Sequence, residues 1–271
     1  MRTNTDFSLQ LQFDKDAELY DRARPHYPPE LFNTIVSEGE LAQNSEILEV
    51  GCGSGQATKD LGKRGFKVTA IEPGENLAEI ARRNCSDLHN VEIITAFFEK
   101  WEIGQQAHFD AIISANAWHW VDLDVSYHKA ALLLKSGGIL AVFWNFPEIE
   151  DKDVSLAIQE IVDTIAPEAQ GLACYHGIMQ DVEALLQQGQ KEFEASGQFS
   201  GVKTHRFKQP LHMTAQKFID WIGTYSNIQN LEDSVRDDLN SALKNYIEAG
   251  EDKSIVMRNE VVLRTASKMT F

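Results

Sequence analysis

Ile47-Leu48-Glu49-Val50-Gly51-Cys52-Gly53-Ser54-Gly55 is an apolar run that stops in three glycines at alternate positions. A helical pattern, Gln56 to Arg64, follows at once and is closed by Gly65. A strand, a glycine turn and a helix start in that order bring a ligand against bare backbone. No Cβ blocks the approach, and the first N–H groups of the helix have no partner within it. A lone glycine triplet also suits an ordinary strand-to-helix turn, so the surrounding chain decides between the two readings.

Downstream, strand-like runs at Lys67–Glu72, Val91–Thr95, Phe109–Ala115 and Ile139–Trp144 alternate with helix-like stretches at Glu75–Asn84 and Val125–Leu134. This rhythm predicts an α/β fold, a parallel sheet with helices on both faces, and the strands are mostly apolar instead of alternating, as such burial requires. Sites in these sheets gather at the carboxyl ends of the strands. Beyond Asn145 the pattern predicts helices over Val154–Ile165, Ile178–Ala195, Thr214–Tyr225 and Glu232–Ala249. Strands are expected over Val202–Met213, placed at an edge by Pro210, and over Ile255–Ala266.

Upstream, Asp14–Arg24 reads as a helix ended by Pro25, and Pro28-Pro29 opens a second, Glu30–Glu38, with Gly39 past its end. The corner between them, Tyr20 to Pro28, is dense in aromatic and basic groups. It reads either as a packed helix-to-helix corner or as a lid over the glycine loop, with Tyr20 and Arg24 meeting a carboxylate. No internal repeat or linker interrupts the chain. Residues 1–271 are expected to form a single domain: a helical lid over 1–40, a binding core over 41–146, and acceptor-side helices with the final strands over 147–271.

The totals narrow the function. The chain has 271 residues, of which 43% are hydrophobic, enough for a sizeable core. It holds no apolar run of the roughly 18 residues that a spanning helix needs, so no membrane partner is expected. Met1 to Gln10 is polar, without the layout of a secretory signal. Three cysteines, Cys52, Cys85 and Cys174, show no CxxC spacing, which suits free thiols in a reducing cytoplasm. A net charge of −16 with no basic stripe argues against nucleic acid. The histidines lack metal-ligand spacing, and no metal is expected. No oligomeric state is legible.

Glu72 stands at the end of the second strand, ahead of Pro73 and Gly74. A carboxylate there accepts both hydroxyls of a ribose. The third glycine comes one residue earlier than in G-x-G-x-x-G, and Gln56 takes the usual slot, so no pyrophosphate grip is suggested.

Together with Phe13 to Tyr20, Arg24 to Pro28, Ala70 to Gly74, Ala117 to Trp120, Leu134 to Leu140 and Thr224 to Ser226, the glycine stretch resembles the class I S-adenosylmethionine-dependent methyltransferases. The similarity is strongest to the type 11, trans-aconitate methyltransferase-like group. It implies a Rossmann-like, doubly wound, mostly parallel seven-stranded sheet whose last strand is antiparallel, with inserted helices forming a lid. It implies S-adenosyl-L-methionine as cofactor. Glu49, Gly51, Gly53 and Gly55 would flank its methionine part, joined by Arg24 from the lid. Glu72 would hold the ribose, Asn76 or Leu77 would border the adenine, and Asn116 and Ala117 would lie near the sulfonium. Where the family often has an aspartate for the adenine, this chain has Phe97 beside Phe98.

Methyl transfer asks mainly for alignment and exclusion of water, so few catalytic side chains are expected. Trp118 and Trp120 are candidates to wall a dry pocket facing the cationic methyl, with one of the two expected in the core. His119 is the candidate general base for a hydroxyl or amine acceptor, against a structural hydrogen-bonding role. Tyr20 is a further catalytic candidate, and Tyr27, Trp221 and Tyr225 are candidates to line the acceptor, although amphipathic packing also accounts for Trp221. The expected activity is methyl transfer to a small organic molecule, with a carboxylic acid as one class. The alternatives are an NAD(P)-dependent oxidoreductase on a related sheet and a non-catalytic adenosine-cofactor-binding protein.

Overall fold

The structure, a computed structural model, describes Phe7 and residues 9–102, 108–169 and 174–270. In chain order a 3-10 segment, Leu9–Asp16, leads into α1 (Ala17–Ala23), α2 (Pro29–Glu38), β1 (Glu46–Val50), α3 (Gln56–Lys63) and β2 (Lys67–Glu72). Then come α4 (Glu75–Asn84), β3 (Val91–Thr95), β4 (Phe109–Ala115), α5 (Leu123–Leu133) and β5 (Leu134–Ile149). The rest is α6 (Lys152–Ile165), α7 (Met179–Ala195), β6 (Phe199–Thr214), α8 (Ala215–Ile222), α9 (Ser226–Gln229), α10 (Asp233–Ala249) and β7 (Ser254–Lys268).

One seven-stranded sheet has the order β3-β2-β1-β4-β5-β7-β6. The pairs among β1 to β5 are parallel, and β7 runs antiparallel to both its neighbours, as the family resemblance implied. β6, with Pro210, lies at the edge, where a residue with no N–H costs no ladder bond. The order reverses between β1 and β4, so the loops leaving these two strands diverge and open a crevice at their carboxyl ends.

Burial follows the apolar pattern. Ile47, Ala111, Ile113, Ala141 and Phe143 face α2 and α3, while Leu48, Ile112, Leu140 and Val142 face α5. A third cluster, with Phe218, Trp221, Ile222, Leu239 and Leu243, joins α6, α8 and α10.

Three elements differ from their sequence reading. The expected helix Asp14–Arg24 starts only at Ala17, because the Asp16 carboxylate caps α1 through Leu19 N (3.1 Å). Asp14 is used elsewhere, accepting from Leu77 N (2.8 Å) at the start of α4. β5 extends to Ile149, since its register with β7 continues from Ile139↔Ser267 to Ile149↔Met257. The helix expected over Thr214–Tyr225 is capped by Thr214, ends at Ile222 and restarts at Ser226.

Candidate functional site

Gly51, the first residue after β1, has φ +70°, and a Cβ there would lie 2.4 Å from the Ala117 Cβ. Only glycine lets the two diverging loops touch at this point. Gly51 N and Cys52 N both donate to the Ile71 carbonyl (2.8 and 3.1 Å), which tightens the turn against β2. Gly53 (φ +56°) lies under the Tyr20 ring, 3.5 Å from where its Cβ would be.

Glu72 closes the same turn from the neighbouring strand. Its carboxylate accepts from Gly53 N (2.8 Å) and Gly74 N (2.9 Å), which fixes the plane of the group. Burial pushes its pKa up to about 7, against those two N–H groups and with the Asp14 charge adding to the rise. Glu49, on β1, is fully buried. Thr58 donates to its Oε2 (2.6 Å), and its Oε1 has no partner. Burial carries its pKa up to about 8, opposed by the Thr58 bond and reinforced by the charge of Glu72.

After β4, Asn116 takes φ +54°, a left-handed conformation that asparagine tolerates. Both ends of its amide are held: Nδ2 donates to the Tyr27 hydroxyl (2.8 Å) and Oδ1 accepts from Asn145 N (2.9 Å). Trp118–Trp120 form a single 3-10 turn. That turn buries Trp118 against Phe98 and Tyr127 and leaves His119 and Trp120 toward the crevice. Trp144 Nε1 donates to His119 Nδ1 (3.1 Å). With Nδ1 accepting, the neutral imidazole carries its proton on Nε2.

The N-terminal segment covers the crevice and is tied to it. Asp14 caps α4 and receives the Asn76 amide (3.1 Å), and Asn84 donates to Asp21 (2.9 Å). Gln56 donates to the carbonyls of Asp21 and Arg24 (3.2 and 3.3 Å). Arg24 lies 5.0 Å from the ring centres of both Tyr20 and Tyr225, and 5.8 Å from that of Phe13. Its Nη2 donates to Thr224 O (3.4 Å), while its buried Nε has no partner. Burial raises the pKa of Tyr20 and of Tyr225, so both phenols stay protonated.

These groups enclose a cavity of about 700 Å³. Of the residues singled out from sequence, Tyr20, Arg24, Gly51, Gly53, Glu72, Leu77, Phe98, Asn116, Ala117, His119, Trp120 and Tyr225 line it. Glu49, Gly55, Asn76, Phe97, Trp118, Tyr27 and Trp221 are not part of its wall. Asn76 binds Asp14, Phe97 packs on Phe7 (4.7 Å), and Trp221 is fully buried in the helical core. Tyr27 acts one step removed, by orienting Asn116. A Cβ on Gly55 would be 3.2 Å from the Ala81 backbone, so that glycine serves the packing of α3 on α4.

Sequence reading missed Trp144, Asn145, Phe146 and Pro147, which also line the cavity. Their place at the carboxyl end of the fifth strand was an available signal. Tyr175, Ile178 and Asp181 reach the cavity from the start of α7, where nothing in the sequence pointed to it. Among the described residues no group of His, Cys, Asp or Glu is gathered as a metal site, and no helix is long and apolar enough to cross a membrane.

The wall suits an adenosine cofactor bearing an amino acid. Glu72 offers acceptor oxygens for a ribose, the glycine turn leaves the space a Cβ would fill, and Arg24 has an unused buried donor for a carboxylate. Residues 47–138 match the family described as Methyltransferase domain. An uncharacterized methyltransferase of Mycobacterium tuberculosis is 30% identical over 137 residues, 51% of this chain and 53% of that protein. The malonyl-[acyl-carrier protein] O-methyltransferase of Acetivibrio thermocellus is 34% identical over 138 residues, 49% of this chain and 47% of its own length. The chain thus spans about half the length of the curated relatives it matches. Among solved structures, a type II methyltransferase from Anaeromyxobacter dehalogenans shares the fold with a TM-score of 0.62 at 21% identity, covering 90% of this chain and 97% of that one. These matches favour a methyltransferase over the oxidoreductase and the non-catalytic binder.

Proposed function

We propose that the chain is a class I S-adenosylmethionine-dependent methyltransferase and that it methylates a small organic acid. When bound, S-adenosylmethionine supplies a methyl group on positively charged sulfur, and a carboxylate acceptor needs no proton removed before taking it. Glu72 holds the ribose, with Leu77 and Phe98 beside the base. Gly51, Gly53, Asn116 and Ala117 form the floor under the amino-acid part, and Arg24 binds its carboxylate. The acceptor occupies the half of the cavity bounded by His119, Trp120, Trp144 and Tyr225.

The observation that carries the acceptor class is the hydrogen bond from Trp144 to His119 Nδ1. It makes Nε2–H a donor, suited to hold an acceptor oxygen, whereas a general base would need that nitrogen bare. Tyr20 and Tyr225, kept neutral by burial, add hydroxyl donors and no basic group. Residues 1–40 act as the lid, 41–146 as the cofactor core and 147–271 as the acceptor side of one domain. A net charge of −16 disfavours nucleic acid as acceptor, and three buried free cysteines suit a reducing cytoplasm. Within the family we place the chain in the trans-aconitate-like group.

Calorimetry with S-adenosylhomocysteine tests cofactor binding, and transfer of labelled methyl to a panel of acids, phenols and amines tests the acceptor. Transfer to amines or phenols in preference to acids would overturn the acid assignment.

A further inference from the structure

A second cavity of about 220 Å³ adjoins the first, and His119, Val121, Trp144, Phe146 and Leu185 line both. Aromatic rings (Trp118, Tyr127 and Phe193) form much of the rest of its wall, together with one cation, Arg264 of β7. Arg264 is only 2% exposed and makes no ion pair among the described residues. Its Nη2 donates to the Leu186 carbonyl (2.6 Å), but its buried Nε has no acceptor. Trp118 Nε1 is a second buried donor without a partner on the same wall. Glu192 also lines this cavity; Gln188 holds it (3.3 Å), and it stays outside ion-pair reach of Arg264.

Gly189 makes room for this guanidinium. It lies in the interior of α7, where glycine disfavours the helix, and a Cβ there would fall 2.6 Å from Arg264 Nη1. Burial pushes the Arg264 pKa down, although Tyr127 and the Glu192 charge act in the opposite direction. A charge so placed is costly unless something pairs with it, and a planar guanidinium fits a carboxylate fork.

We propose that this second cavity is an anchoring subsite for an apolar acid. The ligand carboxylate lies against Arg264 and Trp118 Nε1, and its apolar body extends past Trp144 and Phe146 toward the main cavity. The inference deepens the methyltransferase reading and rests on it only for the fate of the far end, which would present the methyl-accepting group beside His119. Trp144 and His119, joined by a hydrogen bond, stand between the two compartments.

Phenylacetate and its neutral counterpart phenylacetamide are the probes, titrated by tryptophan fluorescence against the full chain and two variants. The wild type is expected to bind the acid at least about tenfold more tightly than the amide, as a charge-assisted pair requires. Arg264→Met and, independently, Gly189→Ala, which displaces the guanidinium without removing it, should each abolish that preference. Should one variant fail to fold, the other decides. Equal affinity for acid and amide in the wild type, or a preference that survives in a folded variant, overturns the subsite. Calorimetry with S-adenosylhomocysteine on the same samples separates the two readings. Loss of cofactor binding with an intact acid preference refutes the methyltransferase reading alone, and the converse refutes the subsite alone.

Discussion

Replacing Glu49 with glutamine keeps the shape of a fully buried side chain and its acceptor for Thr58, while removing the only proton that can leave it. In the folded chain this carboxyl titrates at about 8, against 4.5 when exposed. Between those values the native state holds a proton that the unfolded chain has given up, so the stability it contributes falls as pH rises, by about 1.4 kcal/mol per pH unit. The full difference is on the order of 5 kcal/mol, of which about 3 kcal/mol is lost between about pH 5.5 and pH 8.5. That is a large part of the roughly 5–15 kcal/mol that holds most domains together. Glu49→Gln should therefore gain about 3 kcal/mol on the wild type in urea unfolding between about pH 5.5 and pH 8.5. The comparison isolates Glu49, because every other titrating group is common to both chains. If the two stabilities change in parallel across that range, Glu49 is not held protonated by its burial and the reasoning fails.

Three further outcomes test the site. Glu72→Gln forces an amide N–H against Gly53 N or Gly74 N and should weaken S-adenosylhomocysteine about tenfold to a hundredfold by calorimetry; unchanged affinity would remove Glu72 from the ribose. Because Glu72 titrates at about 7, wild-type affinity for the same ligand should drop about tenfold per pH unit below that value, and a flat profile would speak against an ionised acceptor. Gly51→Ala places a Cβ 2.4 Å from the Ala117 Cβ at φ +70°, and the strain should cost about 1–3 kcal/mol in urea unfolding along with cofactor affinity; a variant as stable as the wild type would mean that the two loops are free to part.

The apolar blocks from Ile47 to Trp144 and their spacing specify the parallel sheet and its covering helices, because burying both faces of a strand demands continuous hydrophobicity. Gly51, Gly53 and Glu72 are legible for the same kind of reason: left-handed turns and close backbone approach admit few residue types. Local sequence could not divide Trp118 from Trp120, since a one-turn 3-10 segment, and not a strand end, sends the first into the core and the second into the cavity. Nor could it show that Asn76 is occupied by Asp14, that Tyr27 serves Asn116, or that Trp144 fixes the His119 tautomer. Arg264 reads as one of four charges along the final strand, and only the folding of α7 over β7 sets Gly189 beside it. Chain-local steric and hydrophobic rules decide which elements form, whereas the pairing of polar groups far apart in sequence depends on distances that exist only once those elements pack.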